Sequence, residues 1–451
     1  MTQPVSMPLW LFVLIIAFAV TSFASNFLFP SVRWFFRARV ERAVQRLNAR
    51  LDRPIDLFKL AQRQDRIARL IYDARVMAAV TDHAAESGVP AAVAFEEARR
   101  HAREIVPGFS TMLYFGVAIR LARWFSRALY RVRFGKLDAL AGIDPAATVI
   151  FVMNHRSNMD YVLITWLVAG RASISYAVGE WARIWPLSAM IRAMGAYFIR
   201  RSSRNALYRR VLARYVQMTT AEGITQAIFP EGGLSLDGRV GSARLGLLSY
   251  IVAGFEPGGR DVVFVPVGLA YDHVLEDCIL IAAQAEGTRR FRARPMAALG
   301  GIARMTVGKL TGRFKGFGTA GAAFGAPVSL RAFLAGRDGD ATEALGHHLM
   351  AAIARVVPVL PVPLVALALA RGARGEAGVL AMAEALAAEL QAAGAVLKLA
   401  PQGMAATVRE GLGQLQRRRL IGPDGAAAPD AQAVLDFYAA GPGQRLRQAA
   451  L

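Results

Sequence analysis

Val149-Ile150-Phe151-Val152-Met153-Asn154-His155-Arg156-Ser157-Asn158-Met159-Asp160-Tyr161 runs from a block of β-formers into a polar cluster, and an apolar helical segment continues to Val168. Strand–loop–helix junctions of this kind put reactive side chains on a rigid base in α/β proteins. His155 and Asp160 stand in the junction with four residues between them. Their spacing supports two readings. In one, His155 is a general base, and Asp160 fixes its tautomer and stabilises the imidazolium. In the other, Ser157 is a helix N-cap and Asp160 completes a capping box. The two are compatible, and spacing alone leaves both open.

Outward from this stretch, strands alternate with helices from Arg133 onward, the pattern of an α/β domain. Strands are predicted at Val149–Met153, Ser173–Val178, Ala196–Ile199, Gln226–Phe229, Val262–Val267 and Ala320–Phe324. Helices are predicted at Asn158–Val168, Pro186–Met194, Ser203–Glu222 and Ser242–Ala253, with Ser202 or Ser203 as the N-cap of the third. Neither a P-loop nor a GxGxxG pattern occurs here. Towards the N-terminus, helices are expected at Ile67–Glu86, Ala91–Ile105 and Met112–Val132.

Pro8–Pro30 carries no charge and is long enough for one transmembrane helix. Arg33, Arg37, Arg39 and Arg42 follow it, so the positive-inside rule puts the rest of the chain in the cytoplasm, as a single-pass cell-membrane protein. A signal peptide cleaved after Ala24 is the competing reading, but no Lys or Arg precedes the apolar run. From Val32 to Gln64, Arg is interleaved with Trp34, Phe35, Phe36 and Val40, the pattern of a basic amphipathic helix on anionic lipid or of a solvated helix. Past residue 330 the chain is helical and Ala-rich. Its apolar run at 356–370 is short and proline-bearing, which suits burial better than a span. Four regions result: an anchor at 8–30, a helical basic region at 31–130, a catalytic α/β domain at 131–330 and a helical C-terminal region at 331–451.

Lys and Arg number 54 against 33 Asp and Glu, a formal charge of +21, and 55% of residues are hydrophobic. The charge calls for acidic partners, and the apolar content favours a membrane surface over nucleic acid, for which no motif is present. The lone Cys278 excludes an internal disulfide and a multi-Cys zinc site, and fits a reducing, cytosol-facing location. Gly-x-Ser-x-Gly is absent, which disfavours a serine hydrolase.

Three further blocks accompany the first: Gly195-Ala196-Tyr197-Phe198-Ile199-Arg200-Arg201, Phe229-Pro230-Glu231-Gly232-Gly233-Leu234-Ser235, and Val265-Pro266-Val267-Gly268. In this order the blocks resemble the glycerolipid acyltransferase superfamily, whose first motif is His-x4-Asp. Arg156-Ser157 and Tyr161 make the chain similar to the branch that acylates glycerol 3-phosphate or dihydroxyacetone phosphate. The resemblance spans roughly residues 130–330, with Tyr271-Asp272-His273-Val274 extending it. It implies a mixed β-sheet flanked by helices, with His155 as general base and Asp160 in support. It also implies direct attack on acyl-CoA or acyl-carrier protein as co-substrate, with no metal or other cofactor. Arg200 and Arg201 become candidates for the acceptor phosphate, Arg156 for the same phosphate or a local salt bridge, and Ser157 for substrate binding. Glu231 would bind acceptor hydroxyls or a neighbouring Arg, and Gly232 and Gly233 would let backbone N–H groups approach an anion. Pro266 would shape the site wall, and His273 is read as structural. One departure bears on the acceptor: Leu234 and Leu236 stand where the branch carries Arg, leaving Arg239 or Arg244 to supply the charge. The resulting expectation is acylation of glycerol 3-phosphate at position 1. Lysophosphatidate, dihydroxyacetone phosphate or another lyso-lipid are alternative acceptors, and a non-catalytic membrane-binding module is the alternative of another class.

Overall fold

The computed structural model describes residues 63–110, 112–135, 142–169, 172–179, 194–200, 205–287, 316–337, 339–422 and 424–450, with positions 8, 10, 13–16, 140, 191, 203, 311 and 314. Ile55–Leu451 forms one compact unit and Met1–Pro54 another. Most of the expected span at 8–30, nearly all of the basic stretch 32–64, most of the helix at 186–194, and Arg201 lie outside the described residues. Among the described residues no helix is long and apolar enough to cross a membrane.

Three helices open the described chain: α1 (Arg63–Ile71), α2 (Ala74–Ser87) and α3 (Ala91–Ile105). Asp73 separates the first two by capping α2 at the Arg75 N–H, so the single helix expected over Ile67–Glu86 is broken. A π-helical segment at Met112–Ala118 leads into α4 (Ile119–Leu129). The strands and helices that follow are β1 (Arg131–Phe134), β2 (Thr148–Met153), α5 (Met159–Val168), β3 (Ser175–Val178), β4 (Tyr197–Phe198), α6 (Ala206–Ala221), β5 (Gln226–Ile228), α7 (Gly246–Ala253), β6 (Val262–Tyr271), α8 (Asp277–Ala285), β7 (Thr319–Phe324) and β8 (Val328–Ser329). Six more helices finish the chain: α9 (Leu330–Leu334), α10 (Thr342–Val356), α11 (Pro361–Ala370), α12 (Gly375–Ala392), α13 (Met404–Arg417) and α14 (Gln432–Ala449). Asn205, not Ser202 or Ser203, caps α6, accepting the Tyr208 N–H at 2.8 Å.

The sheet runs β1-β7-β6-β2-β5-β3-β4, with β8 also on β6. β6, β2, β5, β3 and β4 are mutually parallel, whereas β7 and β8 run antiparallel to β6 and β1 follows β7. This is the mixed sheet flanked by helices that the sequence implies. β2 is buried along its whole length because both faces are covered. Val149, Phe151 and Met153 join a core with α5 and the C-terminal helices α11–α14, while Ile150 and Val152 join a second core with α1–α3, α6 and α10. The period-two alternation of Cβ directions thus divides one strand between two layers.

Pro266 sits inside β6, opposite Val152, in a position that ordinarily needs a backbone donor. β8 pairs with β6 only through Val263 and Phe264, and pairing with β7 begins at Val267, so the missing N–H falls in the gap between the two partners. The Pro266 carbonyl accepts the Gly325 N–H at 2.8 Å on that side. Pro266 is therefore a buried strand residue.

α11 explains the short apolar run. Pro361 and Pro363 stand in its first turn, where their missing N–H groups leave no helical bond unmade, and Pro361 through Leu369 are buried. At 10 residues the helix is too short to cross a membrane. It is a core helix, consistent with the reading from its length.

Candidate active site

β2 ends at Met153, and the next residue fixes the loop. Asn154 is fully buried; its Nδ2 donates to the Leu269 carbonyl at 2.9 Å and its Oδ1 accepts the Leu269 N–H at 2.8 Å, so a side chain extends the β2–β6 ladder. His155 follows directly and is 2% exposed. Its ring stacks on Phe229 at 4.1 Å between centroids and meets Tyr161 edge-on at 5.5 Å.

His155 Nδ1 lies 2.9 Å from Asp160 Oδ2, in the first turn of α5. The same oxygen accepts the Arg156 N–H at 2.7 Å and the Ser157 N–H at 3.1 Å, while Oδ1 accepts the Tyr271 hydroxyl at 2.8 Å. The contacts that each reading requires are thus made by one carboxylate. It holds the imidazole, and it reaches back to the backbone ahead of the helix as a capping box requires. With Nδ1 donating to Asp160, Nε2 is the nitrogen left to take a proton.

Glu231 supports the loop from the β5–α7 side. Its Oε1 accepts the His155 N–H at 3.0 Å and its Oε2 the Gly241 N–H at 3.3 Å. Burial raises the Glu231 carboxyl above its usual value, and the nearby Arg156 partly opposes this. Burial likewise lowers Arg156 from its usual value, with Glu231 and Asp160 opposing. The Arg156 guanidinium is itself buried and lies 3.5 Å from Ser235 Oγ. It lines a cavity with Gly238, Phe437, Gly441 and Arg445 of the loop and α14.

Ser157 is committed to the scaffold. Its Oγ donates to Glu276 Oε2 at 2.7 Å and accepts the Met159 N–H at 3.1 Å. Glu276 Oε1 accepts the Asn158 N–H at 3.1 Å and Asn158 Nδ2 at 3.0 Å. The sequence reading missed Glu276, Asn154 and Tyr271 as site residues. Asn154 adjoins the motif and Tyr271 lay in a quoted block, but Glu276 belongs to no pattern.

The remaining candidates divide. Gly232 has φ of +69°, and its N–H donates to the Phe229 carbonyl at 3.0 Å rather than standing open to an anion. A Cβ at Gly232 would fall 2.4 Å from Arg244 Cδ, so the exposed Arg244 side chain lies over the turn. Gly233 is half-buried beside it. Leu236 is buried and Leu234 packs on the same core, so both leucines face apolar surroundings. Arg200 grips Glu104 of α3 with Nε at 2.9 Å and Nη2 at 2.6 Å, which occupies the fork expected to hold a phosphate. β4 is also three strands from β2, about 14 Å along the sheet.

The loop after β6 ties this site to the C-terminal helices. Asp272 Oδ1 accepts the Val362 N–H at the start of α11, and Oδ2 accepts the Thr319 N–H of β7; burial raises this carboxyl to about 6. Burial holds His273 down to about 4, and Arg418 adds to the effect, so it is a neutral structural residue at ordinary pH. Asp277 is buried and bonds Arg418 Nη2 and the Tyr438 hydroxyl, each at 2.6 Å. Among the described residues no group of His, Cys, Asp or Glu could hold a metal ion.

Residues 135–270 match the family model described as Acyltransferase, and residues 307–440 that described as Glycerol-3-phosphate acyltransferase C-terminal region. The glycerol-3-phosphate acyltransferase of Pseudomonas entomophila (strain L48) is 28% identical over 81% of this chain and 45% of its own length. That of Shewanella frigidimarina (strain NCIMB 400) is 29% identical over 61% of this chain and 34% of its own. The chain thus spans less than half the length of these curated relatives. Among solved structures, the 1-acyl-sn-glycerophosphate acyltransferase PlsC of Thermotoga maritima is 17% identical, with a TM-score of 0.34, covering 65% of this chain and 95% of that one.

Proposed function

We propose that this chain, which belongs to the glycerolipid acyltransferase superfamily, transfers a fatty acyl group from acyl-CoA or acyl-carrier protein to the sn-1 hydroxyl of glycerol 3-phosphate in phospholipid biosynthesis. The His155–Asp160 contact of 2.9 Å at the end of β2 carries the reading. In the proposed step, His155 Nε2 takes the hydroxyl proton as the acceptor oxygen attacks the thioester carbonyl carbon. The C–O bond forms, the C–S bond breaks, and the imidazolium returns its proton to the departing thiolate. Asp160 holds the tautomer and stabilises the transient positive charge. General-base help supplies roughly 10²–10⁴ of the acceleration, and positioning the remainder.

The test is release of free thiol from palmitoyl-CoA that depends on added glycerol 3-phosphate. The wild-type chain should show it and His155→Ala should not, with both folding alike. Undiminished turnover in His155→Ala would overturn the assignment, and no acceptor-dependent release by wild type would favour a non-catalytic membrane-binding module.

A second reading of the acceptor rests on Leu234 and Leu236, apolar where the branch has Arg. Lysophosphatidate, dihydroxyacetone phosphate or another lyso-lipid would then take the acyl group, and a panel of acceptors ranked by kcat/KM decides. For phosphate, Arg244 over Gly232 is the better-placed candidate, since Arg200 would first have to release Glu104. We further propose a single span at 8–30 in the cell membrane, with the catalytic region on the cytoplasmic side and anionic lipid as a partner. Protease digestion of sealed, oriented membranes checks this: cleavage of the catalytic region from the outer face would refute it.

A further inference from the structure

α4, with the turn before it, has a face that the described residues leave exposed. Ala118, at its N-cap, and Ala122, Ser126 and Leu129 pack inward, whereas Val117, Leu121 and Trp124 are 43%, 47% and 60% exposed. Leu121 and Trp124 are spaced i, i+3 on α4, and Val117, near the end of the π-helical segment, precedes Leu121 by one turn, so the three continue one stripe. Exposed Arg120, Arg123 and Arg127 flank it, and Ile119–Leu129 contains no acidic residue. Arg127 lies over the Trp166 ring at 5.3 Å, and exposed Phe134 meets the same ring edge-on. α4 packs against α5, the helix that carries Asp160.

We propose that this face seats the catalytic region on an anionic lipid bilayer, with Val117, Leu121 and Trp124 entering the acyl boundary and the arginines reaching lipid phosphates. Charge decides between occupants. A second copy docked on the same face would bring six arginines together in a chain already at +21, whereas anionic headgroups neutralise them. Long arginine stems beside an apolar stripe bury their methylenes and keep the guanidinium among headgroups, the arrangement of an interfacial helix. The proposal rests on the reading that the chain works at a membrane, not on the acyl-transfer chemistry. It is independent of any span at 8–30, because it concerns where α4 sits once the chain is bound.

The test uses the full chain in a Cys278→Ser background, with an environment-sensitive fluorophore attached at Leu121→Cys, Trp124→Cys or, as a control on exposed α12, Glu384→Cys. Vesicles of phosphatidylcholine with or without phosphatidylglycerol carry shallow spin-labelled lipid as quencher. Labels at 121 and 124 should blue-shift and be quenched in the anionic vesicles, while the label at 384 stays in water. Changing Arg120, Arg123 and Arg127 to Glu should lower the inserted-to-free ratio at 121 by roughly fivefold or more for each arginine removed. Labels at 121 and 124 that stay in water while the chain floats with vesicles would overturn the proposal. So would labels already in apolar surroundings without lipid, since residues 1–54 or a second copy would then cover the face. Acyl transfer is assayed separately on each labelled protein, and its loss would count against the proposed function alone.

Discussion

Asp160 accepts from His155, Arg156, Ser157 and Tyr271, so its two oxygens face only donors. Asp160→Asn would turn an NH2 group towards at least one of them. We expect kcat to fall roughly 10²–10⁴-fold, and a measurable loss of Tm should accompany it because the cap fails with the dyad. Glu276 makes a contrasting case, since its side chain bonds Ser157 and Asn158 of the loop and not His155. Glu276→Ala leaves the donors of half-buried Asn158 and of Ser157 without this acceptor, at about 1 kcal/mol. Its kcat should fall about tenfold or more with KM little changed, and Glu276→Gln should recover part of the loss through its remaining carbonyl. Equal kcat in the wild type and Glu276→Ala would show that the loop holds its shape without this residue. His273 gives a pH signature. Its folded value of about 4 lies below the unfolded 6.5, so the unfolded chain binds more protons between them and stability is lost as pH falls through that window. Urea midpoints of wild type should therefore drop between pH 6.5 and 4 by more than those of His273→Gln, an excess of about 3 kcal/mol at most. Buried Asp272 opposes this. Its raised value makes it a group whose stabilisation is present at low pH and lost as pH rises towards 6, so the comparison with His273→Gln isolates the histidine. The His155–Asp160 pair was legible in the sequence because both of its readings are local. Glu276 was not, since 119 positions separate it from Ser157, and Arg200 looked available because Glu104 stands 96 positions before it.

Strands with both faces buried announced themselves as unbroken apolar runs, which is why β2 and β6 were read from the sequence. β1 was not. Arg131-Val132-Arg133-Phe134 follows an Arg-rich helix and forms a half-covered edge strand, so the helical pattern was extended to Val132 when α4 in fact ends at Leu129. Pro266 would ordinarily argue against a central strand, and only the division of one β6 edge between β7 and β8 makes room for it. Close helix packing is equally invisible in one dimension. A Cβ on Gly411 of α13 would lie 2.6 Å from Val365 Cγ2 and 2.8 Å from the Pro361 carbonyl oxygen of α11. Gly411→Ala should therefore destabilise the protein by about 1–3 kcal/mol through overpacking, despite the better helix propensity of alanine. A Tm equal to or above wild type would mean that α11 and α13 can separate without penalty.

The two matched segments, 135–270 and 307–440, share one core that runs from β2 through α11 to α14. Asp272 and Asp277 bind them across the loop that also bears Glu276, so the C-terminal helices and the His155–Asp160 loop hang from the same few residues. Arg418→Met would leave Asp277 buried without its cation and should cost about 3–5 kcal/mol. Acyl transfer should fall with it even at temperatures where the chain remains folded, a separation that circular dichroism and activity measured on one sample would reveal. The sheet order carries a consequence for synthesis on the ribosome. β1 leaves the exit tunnel early, yet its partner β7 is Thr319–Phe324, and β2 gains β5 on one edge at Gln226–Ile228 but must wait for β6 at Val262–Tyr271 on the other. Through that interval β1 and the β6-facing edge of β2 have no partner, and α11, which closes one face of the core, emerges later still. Translation pauses or chaperone engagement between residues 154 and 262 should therefore govern how much of this chain is recovered in active form.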